Sequence, residues 1–360
     1  MQLREFRNEL VHAIYAGMYQ RLGDNFDFVR FGYDGVDRST LVNVHQNAAY
    51  FSFVLDNIES FYAAWLLLED ADSRALFKQL IKYRCLGHPH LRIHEDMTWT
   101  AVKASIDRAA SYVRGPSEIR FSGMFGPLLH HVDVPAEDGT PVTVDAWTLN
   151  VAFDLGCGSR RQYYLRRGDL RVQPEAGDWI IDGGACFGDT AAFFATSVGR
   201  DGRVFAFEPL PVHAEVIELN ARQNGLQQRL QIVPAGLGDA SNTVTDIGGG
   251  LARVTSPGFS MAGREDQVPI VSIDDFVAKE KLERLDFIKL DIEGFELKAL
   301  KGAADSIARF RPKLAISLYH KPEDFFEIPI FLKTNFPFYR LHLEHYTIFA
   351  EETVLYAVAG

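Results

Sequence analysis

The sequence predicts an α/β fold, a mostly parallel sheet closed by an antiparallel last strand and preceded by a mostly helical N-terminal region. Three observations carry this. From Gly177 onward short apolar runs alternate with segments of helical period, which implies parallel strands with helices on their faces. The stretch IIDGGACFGDT, residues 180–190, has the look of a buried strand ending in a glycine turn that opens a helix. Near the end FYRLHLEHY and ETVLYAVA both read as strands. Only a short hydrophilic turn around Phe349, Ala350, Glu351 and Glu352 separates them, which excludes a helical crossover and predicts an antiparallel pair.

Composition narrows the class. A chain of 360 residues can hold one large core with an elaboration. Its 47% hydrophobic and 24% charged residues suit a soluble globular protein. A formal net charge of −11 opposes attraction to a polyanionic backbone, and no basic patch offsets it, so nucleic acid is not an expected partner. Cys85, Cys157 and Cys186 show no CxxC spacing, which suggests neither a disulfide framework nor a zinc site and fits a reducing compartment. The run YAAWLLL at 62–68 is too short to span a bilayer, and the opening residues carry charges inside their apolar periodicity. The expectation is a cytoplasmic protein without a membrane partner.

Three regions follow in order. Residues 1–126 are expected to be mostly helical, because ELVHAIYAGMYQRL, IESFYAAWLLLEDADSRALFKQLIKYR and TWTAVKASIDRAASYVRG repeat apolar residues at helical spacing. Such a region suits a lid, a homodimer surface or a docking face for substrate. Residues 127–176 read as a small β meander, LLHHVDV, PVTVDAW, LNVAFDL and QYYLRRGDLRV, with Asp138-Gly139 as a hairpin turn. Residues 177–360 form the main domain. There DWIID and GRVFAFE are strands, DTAAFFATSV and PVHAEVIELNARQN helices, and Val212, Val216 and Leu219 form the apolar stripe of the second helix, stopped by Asn224-Gly225. RLQIVPAG is a third strand, and residues 241–268 lose periodicity around GGG at 248–250. SIDDFVAKEKL, LDFIKLDI, EGFELKALKGAADSIARF and KLAISLY then continue the alternation as helix, strand, helix and strand.

The glycine turn brings ligand against backbone at the carboxyl ends of the strands, where open α/β sheets bind ligands. GGACFG is looser than GxGxxG, so a pyrophosphate cradle is less favoured. Glu208 ends the second strand 26 positions after Asp182, where an acidic side chain meets ribose hydroxyls. A nicotinamide-dependent oxidoreductase, an S-adenosylmethionine-dependent methyltransferase and a noncatalytic cofactor-binding protein all remain compatible with this much.

The downstream motifs separate them. IIDGGACFGDT, VFAFEPLP, HAEVIELNARQNGL, IVPAGLGD, the paired acids of VSIDDF, FIKLDIEGFELKALKGA, and HKPEDFFEIPIFLK with ETVLYA together resemble the FkbM family of S-adenosylmethionine-dependent methyltransferases, from about Gln162 to the C-terminus. The resemblance implies a class I methyltransferase fold, Rossmann-like and seven-stranded with a reversed last strand. It also implies S-adenosylmethionine as cofactor and O-methylation of a hydroxyl on a small molecule such as a polyketide, a sugar or a glycan.

Read physically, Asp182, Gly183 and Gly184 let the methionyl part and ribose approach the first turn, and Gly188 permits close helix packing. Glu208 accepts from the ribose diol. Asp239, after PAGLG, is placed to approach adenine. Lys289 and Asp291 interrupt an otherwise apolar strand on one face, where charge is costly unless used or paired; Asp291 is therefore placed beside the methionine moiety or the acceptor. A base near neutral pKa points to histidine, so His320 is the first candidate for proton removal, His345 the second and Asp291 the third. Asp274, Asp275, Asp291 and Glu293 are the carboxylates a divalent cation could use, and the need for a metal stays open. FDLGCGSR at 153–160 imitates the first motif but lacks the following helix, and His88, His90 and His94 match no metal-ligand spacing.

Overall fold

The computed structural model describes residues 1–22, 44–98, 100–101, 104, 128–135, 141–148, 161–241, 243–246 and 267–360. At its centre is a seven-stranded sheet built from β5 (Trp179–Gly183), β6 (Arg203–Phe207), β7 (Leu230–Val233), β11 (Phe287–Leu290), β12 (Lys313–Ser317), β13 (Tyr339–His345) and β14 (Thr353–Ala359). Their order across the sheet is β13-β14-β12-β11-β5-β6-β7. β5 pairs in parallel with β6 and β11, while β14 runs antiparallel to both β12 and β13, as the short last connection requires. Chain order reverses at β5, so the carboxyl ends of β5, β6 and β11 open onto a topological switch point.

Period-two alternation divides the sheet into two cores. Ile181, Phe205, Ile288, Leu290 and Leu314 face one side, with helices α7 (Ile273–Glu280), α8 (Glu296–Lys301), α9 (Ala304–Phe310) and α10 (Asp324–Asn335). Ile180, Val204, Ala206, Phe287 and Ala315 face the other, against α5 (Asp189–Ser197) and α6 (Pro211–Gln223). EGFELKALKGAADSIARF forms two helices rather than one. They break at Gly302, where a Cβ would lie 2.1 Å from the carbonyl oxygen of Gly238. On α6 the buried face is His213, Val216, Ile217 and Asn220, with Leu219 only partly buried. The stripe turns because Asn220 donates to the carbonyl of Phe187 and Ile217 packs under Gly188.

The N-terminal helices α1 (Leu3–Gly17), α2 (Val44–Asp56), α3 (Ile58–Leu67) and α4 (Ala71–Leu86) share the first core, burying Phe6, Phe61, Phe77 and Leu80 with Phe325 and Leu341. Backbone continues the sheet at its edge: Leu68 bridges Leu341, and the N–H of Glu69 donates to the Leu341 carbonyl. That cover protects an edge strand from pairing elsewhere. Arg167 fastens it, donating to Asp70, to Ser73 and to the Leu343 carbonyl.

Among the described residues the β-rich stretch holds two hairpins, β1 (Leu128–Pro135) with β2 (Pro141–Thr148), and β3 (Leu165–Arg167) with β4 (Leu170–Val172), and LNVAFDL lies outside the described residues. Asp138-Gly139, FDLGCGSR and the loop Gly248 to Gly263 lie outside the described residues. The last of these leaves β9 (Thr243–Asp246) and re-enters at β10 (Gln267–Val271). β10 pairs with β8 (Gly236–Leu237) and β9, making a small sheet beside the switch point. Among the described residues no helix is long and apolar enough to cross a membrane.

Candidate active site

A cleft of about 950 Å³, counted out to open solvent, lies at the switch point. Its floor is the glycine turn. Gly184 stands at φ +75° with no room for a side chain, since a Cβ would sit 1.8 Å from the Asp291 carbonyl oxygen. Gly188, also at φ +75°, opens α5 and packs against Ile217. The turn therefore sits on the next strand's backbone, and only glycine permits that approach.

One end of the cleft is apolar, walled by Leu210, Ala235, Leu237, Val268 and Ile270. Beside it stands Glu208, its carboxylate accepting from the backbone N–H groups of Cys186 and Leu210, both at 2.9 Å. Cys186 itself holds φ +48°, the left-handed backbone that aims its N–H at Glu208. The other end is acidic, lined by Asp291 and Glu293. No lysine or arginine is among the described lining residues, so a pyrophosphate would meet three carboxylates, with the His213 ring, 3.5 Å from Glu208, as the basic side chain among the described lining residues.

Lys289 and Asp182 stand behind this floor. They are in register on β11 and β5, with Nζ 3.0 Å from Oδ1, and both are buried. Lys289 also donates to the carbonyls of Gly183 and Gly184, at 3.1 and 2.8 Å. Burial alone would lower its pKa, but Asp182 and Asp291 more than offset this and hold it charged. Asp182 is thus 0% exposed and anchors the turn from beneath rather than lining the cleft.

Asp291 is held by hydroxyls. Tyr163 and Tyr319 each donate to it at 2.8 Å. Burial raises its pKa, yet the charges of His320 and Lys289 and the two hydroxyls leave it below the usual carboxylate range. His320 stands inside a cluster of carboxylates. Its Nδ1 lies 2.9 Å from Glu296 Oε1, and its Nε2 faces Asp291 at 3.4 Å and Glu293 at 3.6 Å. Burial opposes its charge, but Glu296, then Asp291 and Glu293, raise the pKa to about 9. The ring is an imidazolium at neutral pH, with a side chain only 2% exposed, and has no lone pair to take a proton. Asp291, Glu296 and His320 also stand close enough together to bracket a cation, but the Glu296 to Nδ1 contact is an ion pair and the group forms one charge network.

The remaining candidates lie elsewhere. His345 is fully buried, its Nδ1 2.8 Å from the Thr353 hydroxyl, and burial drives its pKa down to about 3. Neither it nor the exposed Asp239 lines the cleft. His90 meets the Gln20 carbonyl while His94 reaches Glu344, so HPHLRIH gathers no common centre among the described residues. Sequence reasoning missed Tyr163, Tyr319 and Glu352. Glu352 is half-buried near Asp291 and takes a hydrogen bond from Gln162. Tyr163 and Glu352 share a signal only the fold reveals, a left-handed backbone at φ +64° and +67°.

The cleft fits S-adenosylmethionine. An apolar slot suits adenine, the carboxylate at the end of β6 suits a ribose diol, and the described lining residues include no lysine or arginine for a phosphate. Residues 182–348 match the model of the methyltransferase FkbM domain. No curated protein matches the chain. Among solved structures, the methyltransferase FkbM from Methylobacillus flagellatus KT is 20% identical with a TM-score of 0.53, covering 85% of this chain and 60% of that one. The chain thus spans well under two thirds of that relative's length. An O-methyltransferase from Bacillus cereus in complex with SAH is 14% identical over 51% of this chain and 74% of that one, TM-score 0.33. Fibrillarin from Aeropyrum pernix, with bound S-adenosyl-L-methionine, is 14% identical over 68% and 100%, TM-score 0.33. These last two likenesses are too slight to bear on this chain.

Proposed function

We propose, from the premise that residues 182–348 of this chain form a methyltransferase FkbM domain that uses S-adenosylmethionine, that it methylates a hydroxyl oxygen of a small, uncharged, hydroxylated molecule. The observation that carries the reading is the acidic far end of the cleft, where Asp291 and Glu293 line the wall and no lysine or arginine is among the described lining residues. Carboxylates there accept hydrogen bonds from hydroxyls and repel anionic acceptors.

When bound, the donor supplies an electrophilic methyl group on sulfur, and the protein's part is placement. Glu208 would hold the ribose diol, while Leu210, Ala235, Leu237, Val268 and Ile270 would hold the adenine. The Lys289 tether fixes the Gly183-Gly184 turn on which the methionyl part would rest. Because displacement at a methyl group requires acceptor oxygen, carbon and sulfur in line, this fixed geometry is where most of the rate arises. Asp291, locked by Tyr163 and Tyr319, orients the acceptor hydroxyl rather than exchanging protons with it.

Calorimetric titration with S-adenosylhomocysteine, and separately with NADH, tests the premise. Wild type should bind the thioether and not NADH. Glu208→Ala should bind it about 10- to 100-fold more weakly, the value of hydrogen bonds to a charged acceptor. Transfer of a labelled methyl group to a panel of neutral polyols, set against phosphorylated and carboxylated counterparts, then tests the acceptor class. Turnover confined to the anionic compounds would defeat the proposal.

A further inference from the structure

We propose that Glu293 is the side chain that receives the acceptor's proton, with His320 as the positioning cation behind it. This rests on the methyl-transfer reading above. Of the ionisable groups at the acidic end, Asp291 and Glu293 line the cleft and His320 does not. Both oxygens of Asp291 are occupied by tyrosine hydroxyls, which leaves it a weak proton acceptor. Glu293 differs. Its Oε2 is buried with no hydrogen-bond partner, 3.6 Å from Nε2 of His320, while 23% of the side chain remains open toward the cleft. Glu352 and Asp324, also carboxyls of raised pKa in this cluster, are engaged by Gln162 and by the Lys321 N–H, and neither is among the lining residues.

The backbone points the same way. Glu293 stands at φ +56° directly before Gly294 at φ +90°, so a side chain occupies a left-handed position that a glycine would fill without strain. The groups that face it are Asp291 on the same turn, Glu296 from α8, His320 beyond β12 and Glu208 beyond β6, with Lys321 donating to the Gly294 carbonyl. Burial raises the Glu293 carboxyl, His320 lowers it, and the three neighbouring carboxylates raise it again, to about 7. A carboxyl so placed is matched to proton transfer near neutral pH.

In the step, a lone pair of the acceptor oxygen forms the new bond to the methyl carbon. The carbon–sulfur bond breaks with its electron pair left on sulfur, and the hydroxyl proton passes to the Glu293 carboxylate and then to water. His320 keeps its protons throughout and fixes the orientation of Glu293 by charge.

A donor analogue with a primary ammonium in place of the methylsulfonium places hydrogen-bond donors where the acceptor's proton would stand, so it tests the assignment without a known acceptor. Its affinity is measured by calorimetry between pH 5.5 and 8.5, as a ratio to that of S-adenosylhomocysteine. In wild type the ratio should rise about tenfold or more through pH 7, as Glu293 ionises against the ammonium. In Glu293→Gln the ratio should be flat and the thioether affinity within about threefold of wild type, because only the charge has been removed. In His320→Gln the midpoint should move to higher pH, since a cation beside Glu293 is gone; a merely structural role for His320 would leave it in place. A Glu293→Gln protein that keeps the wild-type pH-dependent ratio overturns the assignment. Should that variant not bind the thioether, Glu293→Asp replaces it, and an unchanged ratio and midpoint there overturn the assignment equally. Failure of wild type to bind the thioether would instead remove the methyltransferase premise, and this inference with it.

Discussion

Replacing Lys289 by methionine isolates what the buried ion pair does. Methionine keeps the length and apolar stem of lysine while deleting the ammonium that lies 3.0 Å from Asp182 and that donates to the carbonyls of Gly183 and Gly184. Asp182 would remain at 0% exposure with no counter-charge. Breaking one partner of a buried pair costs about 3–5 kcal/mol. At roughly 2 °C per kcal/mol for a chain larger than 250 residues, thermal unfolding should fall by about 6–10 °C at pH 7. The pH dependence gives a second handle. Burial already raises Asp182 against the pull of Lys289, and without lysine it rises further above its unfolded value of about 3.9, so the folded state of the variant holds a proton that the unfolded state has released. Stability of the variant must then improve, relative to wild type, as pH falls toward that value. The double variant Asp182→Asn with Lys289→Met should recover most of the loss, since neither charge is left unpaired. Differential scanning calorimetry of the three proteins at pH 5 and pH 8 reads all of this. A drop smaller than about 2 °C for Lys289→Met, or a deficit that does not shrink at pH 5, would refute the reasoning.

Two further outcomes are expected. Gly184→Ala places a Cβ 1.8 Å from the Asp291 carbonyl at a φ of +75°, so the floor of the cleft must shift; affinity for S-adenosylhomocysteine should fall at least about tenfold by calorimetry, with the far-ultraviolet spectrum unchanged. His320 has a folded pKa of about 9 against an unfolded value near 6.5, so its charge contributes stability that is complete below pH 6.5 and lost as pH rises through 9. That contribution is worth up to about 3 kcal/mol, and His320→Gln should flatten the alkaline fall in thermal stability; equal slopes for the two proteins between pH 7 and 9.5 would contradict the ion-pair network.

The sheet was legible because its signals are local. Alternation of strand and helix after Gly177, and a short turn before ETVLYAVA, leave few topologies open, and the observed order obeys both. The hairpins were half legible. Their strands carry β-rich patterns, but whether four runs join in one sheet depends on partners that period and turn residues do not specify. At the site, Glu208 was readable from its place after a strand and before a proline. Tyr163 was not, since it acts on Asp291 across 128 residues of chain. His320 shows the limit most plainly. Residue type and position at a strand end suggest a base, yet three carboxylates from α8 and from its N-terminal turn decide its charge, and that neighbourhood exists only once β11 and β12 lie side by side.

Asp182, Glu208 and Asp291 look alike in the sequence, each an acid closing an apolar run, and one residue of register separates their fates. Asp182 is the fourth residue of β5 and stands opposite Lys289 within the ladder, where side chains belong to the core. A carboxylate there must be neutralised by protein, and Lys289 does so. Glu208 and Asp291 each fall one step past the last paired residues, Phe207 and Leu290, both of which register with Gly183. Beyond the ladder the chain turns away and backbone N–H groups or side-chain hydroxyls become free to satisfy a carboxylate while leaving part of it facing outward. Glu208 takes the first solution, with the N–H groups of Cys186 and Leu210, and Asp291 the second, with Tyr163 and Tyr319. The two acids that line the cleft are therefore those the register places outside the sheet, and a one-residue slip of β11 against β5 would bring Asp291 into the core and Lys289 away from Asp182. The buried pair fixes the register on which the cleft depends.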